Sequence, residues 1–102
     1  MRTEGDEDFR RLCLWLFIAT KGGRTRLNIL KSIFEQPMNA HQLSVKLRLN
    51  YRTIEHHLQI LRKNGLVTVV GDGYGQSYFP SEAAVSNKGL IEELERRFEG
   101  GA

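Results

Sequence analysis

The sequence predicts one mainly α-helical domain with a single small β-hairpin, in the order α-α-α-α-β-β-α. Three observations lead there. Apolar residues recur at helical spacing in separate stretches along the chain. The β-branched run Leu66-Val67-Thr68-Val69-Val70 is followed by the turn cluster Gly71-Asp72-Gly73-Tyr74-Gly75 and then by Gln76-Ser77-Tyr78-Phe79, the pattern of two short paired strands. A length of 102 residues with 40% hydrophobic and 26% charged content suits one domain with one modest core and is unlike a disordered tail.

The first helix is predicted from Asp6 to Lys21, with Gly22-Gly23 ending it. Phe9, Leu12, Cys13, Leu16 and Phe17 form one stripe, and Leu14, Trp15 and Ile18 fall outside it, so the helix is apolar nearly all round. Such a helix must be covered on several sides. A domain this small has little else to cover it with, so a partner subunit is expected, with Phe9, Leu12, Trp15, Leu16 and Phe17 as dimerisation residues. The acidic residues before the helix argue against membrane association. The longest apolar run, from Leu12 to Ala19, is far below the roughly 20 residues of a membrane span, and it lacks the layout of a secretory signal.

The second helix is predicted from Arg24 to Gln36, with Leu27, Leu30, Ile33 and Phe34 at helical spacing and Pro37 ending it. The third opens at Asn39, an N-cap with Gln42 in capping-box position, and buries Ala40, Leu43 and Leu47. Asn50 caps the fourth, which runs from Tyr51 to Lys63 and stops at Asn64-Gly65. The hairpin follows and Pro80 closes it. A last helix from Gly89 to Phe98 sets Leu90, Ile91, Leu94 and Phe98 on one side and Glu92, Glu93, Glu95 and Arg96 on the other. Leu90, Leu94 and Phe98 join the dimerisation set. The chain thus divides into an N-terminal dimerisation helix (1–21), a core (22–81) and a C-terminal helix (82–102), all within one domain (1–102).

Two short amphipathic helices separated by a three-residue turn, Arg48-Leu49-Asn50, are how a protein presents a helix to the DNA major groove. With the hairpin, the predicted fold is a winged helix-turn-helix. Charge agrees with this. Residues 1–20 carry a net −1, residues 21–65 a net +7 and residues 66–102 a net −3, so the positive charge collects where phosphate would be met.

On the fourth helix Ile54, Leu58 and Leu61 fall within roughly 60° of one another and form the buried edge. Arg52, Glu55, His56, Gln59 and Lys63 lie opposite. Arg, Gln and His hydrogen-bond base edges, while Arg and Lys meet phosphates. Tyr51, Arg52 and Thr53 occupy the N-terminal turn, the part that reaches deepest into the groove. Glu55 either accepts from a cytosine amino group or orients Arg52 or Gln59. With Arg24, Arg26, Lys46 and Arg48 from the basic block and Tyr74 from the hairpin, these complete the candidate DNA-binding set. His57 lies nearer the buried edge and is expected to pack. The hairpin has no Lys or Arg between Leu66 and Ser81 and carries Asp72 at its tip, so its contribution to affinity is expected to be small.

One cysteine, Cys13, excludes an internal disulfide and a zinc site built on cysteines; a reducing, cytoplasmic location is expected, with Cys13 as inert packing. His56 and His57 point about 100° apart on a helix and cannot easily chelate one ion, and His41 has no visible second ligand, so no metal or cofactor is expected. There is no nucleophile–base pair, and glycines 71, 73 and 75 precede a strand instead of a helix, failing the context for a nucleotide loop. Catalysis is not expected.

Residues 22–79 resemble the winged-helix domain of the ArsR-like transcription regulators, particularly the archaeal branch. The resemblance rests on Thr25-Arg26-Leu27-Asn28-Ile29-Leu30, on Leu43-Ser44-Val45-Lys46-Leu47, and on Leu49-Asn50-Tyr51-Arg52-Thr53-Ile54-Glu55-His56-His57-Leu58-Gln59-Ile60-Leu61 running into Asn64-Gly65-Leu66-Val67. It implies a homodimer held by the terminal helices, with the fourth helix in the major groove and the wing beside the backbone. The paired cysteines of metal-sensing members are absent from the helix-turn-helix, and the last helix has no histidine, so a metal-sensing role does not carry over. The expectation is a homodimeric, sequence-specific regulator that binds double-stranded DNA, its effector unknown. The alternative is a winged helix serving as a protein-interaction module.

Overall fold

The computed structural model describes the backbone of residues 4–100 and the side chains of residues 7–73 and 75–98. Helix α1 (Glu4–Leu14) does not run on as a regular α-helix. It widens into one π-helical turn (Trp15–Ala19). The Thr20 hydroxyl donates to the carbonyls of Trp15 at 2.9 Å and Leu16 at 3.4 Å, satisfying acceptors that a helix end leaves open. Gly22 then takes a left-handed φ of 87°, which a side chain would strain. Gly23 starts α2 (Gly23–Glu35) pressed on the π-turn: a Cβ there would stand 2.4 Å from the Phe17 carbonyl oxygen.

Helix α3 (Ala40–Leu47) begins with the predicted capping box. The Asn39 side chain accepts from the Gln42 amide at 2.7 Å, and the Gln42 side chain accepts from the Asn39 amide at 2.9 Å. Arg48 ends α3 in the left-handed region at φ 56°. Helix α4 (Tyr51–Lys63) starts where Asn50 accepts from the Arg52 amide at 2.8 Å.

Strands β1 (Val67–Val70) and β2 (Ser77–Pro80) pair antiparallel, Val67 opposite Pro80 and Val70 opposite Ser77, around a 3-10 turn at Gly73–Gly75. Tyr78 also donates its amide to the Met38 carbonyl at 2.8 Å, which ties the hairpin to the segment between α2 and α3. Ser81 is the hinge between the hairpin and the last helices. Its hydroxyl donates to the Gly65 carbonyl at 2.7 Å and accepts from the Ala84 amide at 3.0 Å, capping α5 (Glu82–Ser86). Helix α6 (Lys88–Gly100) follows, so the C-terminal part predicted as one helix contains two.

One core joins the π-turn, α2, α3, α4, β1 and α6: Leu16, Phe17, Leu30, Leu43, Ile54, Leu58, Leu61, Leu66 and Leu94 are fully buried. Helix α6 returns across α1 and α2, with Arg10 to Glu93 at 3.0 Å and Lys31 to Glu95 at 2.7 Å. This corrects part of the dimerisation set. Leu16, Phe17 and Leu94 lie inside the chain's own core, because α2 and α6 supply the cover that the sequence reading assigned to a partner. Trp15 remains 52% exposed, and Phe9, Leu12, Leu90 and Phe98 are only partly buried.

Candidate nucleic-acid interface

The candidate surface is built on α4. Ile54, His57, Leu58 and Leu61 are buried against the core, and Tyr51, Arg52, Thr53, Glu55, His56, Gln59, Arg62 and Lys63 are exposed. The division follows from the 3.6-residue period: the apolar side chains take one edge, and the remaining positions must face outward. Arg62 was absent from the sequence-derived set. It follows Tyr51 and Glu55 around the same edge of the helix, so the angular signal was available.

The other basic residues separate. Arg48 is exposed in the turn before α4. Lys46 is exposed as well, but its ammonium lies 2.9 Å from the Glu35 carboxylate and holds that carboxyl below its ordinary range. Arg24 is exposed, with its guanidinium over the Phe98 ring of α6 at 5.6 Å. Arg26 is a correction. It is only 3% exposed and cannot reach DNA.

The Arg26 guanidinium donates to the Leu16 carbonyl at 3.0 Å, to the Thr20 hydroxyl, to the Lys21 carbonyl at 3.5 Å and to His57 Nδ1 at 3.2 Å. Burial moves its pKa down from the ordinary value. His57 is packed, as its place near the buried edge predicted. Its pKa is lowered by burial first, then by the Arg26 and His56 charges.

Between α4, the start of α3 and the hairpin lies a cleft of about 520 Å³, lined in part by His41, Tyr51, Glu55, Gln76 and Tyr78. It places Glu55 on the hairpin side of α4. Asp72 is exposed on the wing; the Tyr74 side chain lies outside the described residues. Among the described residues no three His, Cys, Asp or Glu side chains are grouped to hold a metal ion, and no helix is long and apolar enough to cross a membrane.

Residues 23–69 match the family described as "Bacterial regulatory protein, arsR family". That segment runs from the first residue of α2 into β1 and contains the whole helix-turn-helix. A search of curated proteins finds no match. Among solved structures, the chain is similar to HlyU from Vibrio cholerae, at 28% identity over 92% of this chain and 96% of that one, with a TM-score of 0.68. It is also similar to the transcriptional regulator HlyU from Vibrio vulnificus, at 26% identity over 90% and 91%, TM-score 0.66. A homodimeric winged helix-turn-helix DNA-binding domain from Mycobacterium bovis, described as a possible ArsR-family regulator, shares the fold at 18% identity over 95% and 90%, TM-score 0.66. All three are bacterial, whereas the sequence resemblance pointed to the archaeal branch. The fold is a winged helix-turn-helix, and its helix-turn-helix segment is similar to that of the arsR family of regulatory proteins.

Proposed function

We propose that the chain is a homodimeric, sequence-specific transcription regulator that sets α4 in the major groove of double-stranded DNA and works in the cytoplasm. The observation that carries this reading is the outward face of α4. Arg52, His56, Gln59 and Lys63 are exposed together on a helix whose opposite edge is fully buried, and these side chains hydrogen-bond base edges or neutralise phosphates. Tyr51, Arg52 and Thr53 occupy its first turn. Arg48 and Arg62 flank it as phosphate contacts, and Lys46 joins them if DNA displaces Glu35. Dimerisation belongs to the same reading, through Trp15 with Phe9, Leu12 and Leu90. So does the archaeal branch, on the resemblance of Leu49 to Val67.

Selection of bound sequences from random duplex DNA tests the proposal. The parent protein should recover a palindromic motif, and Arg52→Ala should bind that motif about 10- to 100-fold more weakly, the effect of losing one good side-chain contact to a base. Equal recovery by both proteins, or no enrichment by the parent, would overturn it.

A further inference from the structure

Arg26 has no place in a direct DNA contact, yet it is the most elaborately bonded side chain described. It is buried and charged, and no carboxylate lies within ion-pair distance of it among the described residues. Its acceptors are all neutral: the Leu16 and Lys21 carbonyls, the Thr20 hydroxyl and the imidazole of His57. A guanidinium only donates. The His57 Nδ1 must therefore be an acceptor, and the ring is neutral with its proton on Nε2. The pair connects the π-turn, through Leu16, to the middle of α4. One side of the ring is also closed, since a Cβ at Gly22 would stand 2.8 Å from His57 Cε1. His57 shares α4 with the exposed His56, their ring centroids 5.2 Å apart.

We propose that Arg26 and His57 are positioning residues for DNA reading: neutral His57 locks α4 against the π-turn, and protonation of His57 opens the lock and weakens DNA binding. The proposal rests on the reading of α4 as the DNA-contacting helix. Protonated His57 sets a donor against a donor and a positive charge against a buried one, with no carboxylate at hand. Nδ1 must then leave Arg26, and α4 carries it. Because His57 moves with Arg52, His56 and Gln59 on one rigid helix, a small rotation misplaces all three, and base contacts tolerate little misplacement.

The charged groups that act on His57 are Arg26 of α2 and His56 of α4 itself. Of the other elements packed on α4, β1 carries no titratable residue, and His41 and Lys46 of α3 are exposed, with Lys46 paired to Glu35. Lys21, beside the lock, is exposed and contributes its carbonyl. Burial, Arg26 and His56 all oppose a proton on His57. The folded-state pKa is below the ordinary histidine value of about 6.5, so the lock is complete above that pH and is lost as pH falls through the lower, folded-state pKa.

The test compares the parent with His57→Gln, whose side-chain oxygen accepts from Arg26 and does not titrate. Affinity for the parent's selected DNA site is measured at about pH 7.5 and about pH 5.5. His57→Gln should bind within about threefold of the parent at the higher pH, and the parent should lose affinity relative to it at the lower, by an amount that grows as the pH is taken further down. His56 is coupled to His57, so the same comparison is made in a His56→Gln background, where only His57 differs. Matching pH profiles would overturn the proposal. NMR on the unmodified parent decides the matter without the variant and without DNA. His57 should show an unprotonated Nδ1 near neutrality, and the α4 amides should shift with the His57 titration; α4 amides that ignore it would overturn the lock. A parent that binds no DNA at either pH sinks the functional reading instead, and the NMR titration then still decides the lock.

Discussion

Burial alone decides the chemistry of Cys13. Its side chain is wholly inaccessible, and desolvation pushes the thiol up to about 12, so near neutrality almost none is thiolate, the nucleophilic form. An aromatic disulfide reagent should modify the folded protein at least about 100-fold more slowly than the denatured chain. Equal rates would show that the site opens freely and that the packing role is wrong. Arg26 shows what the sequence contained and how it was misjudged. Arg26, Ile29, Leu30 and Ile33 stand at i, i+3, i+4 and i+7, one stripe of α2, and all four are buried. The position was legible from spacing, but Arg26 also belongs to the basic block of residues 21–65, and the charge pattern placed it on the DNA surface, in keeping with the rarity of fully buried charged side chains. Its partners were not legible. Leu16 and His57 lie 10 and 31 residues away and meet it only after the π-turn and α4 pack on α2.

At the scale of elements, legibility followed the caps. Asn50 opens α4 and Asn64 closes it, and the helix spans the predicted Tyr51–Lys63. Ser81 caps α5 just as directly, but α5 has only five residues, too few to show an apolar period. The π-turn was hidden for a different reason. Its widened register accompanies the close approach of Gly23 to Phe17 and the Arg26 bond to the Leu16 carbonyl, both of them tertiary contacts. Helix α3 gives the clearest quantitative test. It has eight residues, below the length at which an isolated helix holds itself, so its ends matter. Asn39→Ala removes the acceptor for the Gln42 amide and should lower the unfolding free energy by about 1 kcal/mol in chemical denaturation with an unchanged slope. No loss of stability would mean that the hairpin bridge from Tyr78 to Met38, and not the cap, holds the start of α3.

At the scale of the molecule, the positive charge of the middle segment is less available than its total implies. Arg26 is buried, Lys46 faces Glu35, Arg24 lies over Phe98 and the wing adds no cation. What remains on the α4 side is Arg48, Arg52, Arg62 and Lys63, few cations for tight binding by one copy. Two copies engaging about six phosphates give a slope of log affinity against log salt near −5; one copy engaging about three gives about half of that. The surface proposed to join the copies is smaller than the sequence suggested, since Leu16, Phe17 and Leu94 are spent on the internal core. It comprises Trp15, 52% exposed, and the half-buried Phe9, Leu12 and Leu90. Trp15→Glu should therefore sediment as a monomer, bind the selected site at least about 100-fold more weakly, and show about half the salt slope of the parent. Because the indole already faces outward, the monomer's own fold should change by only about 0.5 kcal/mol. A parent that is itself monomeric at binding concentrations, or a variant with unchanged salt slope, would mean that single copies of α4 suffice and that the exposed tryptophan serves some other contact.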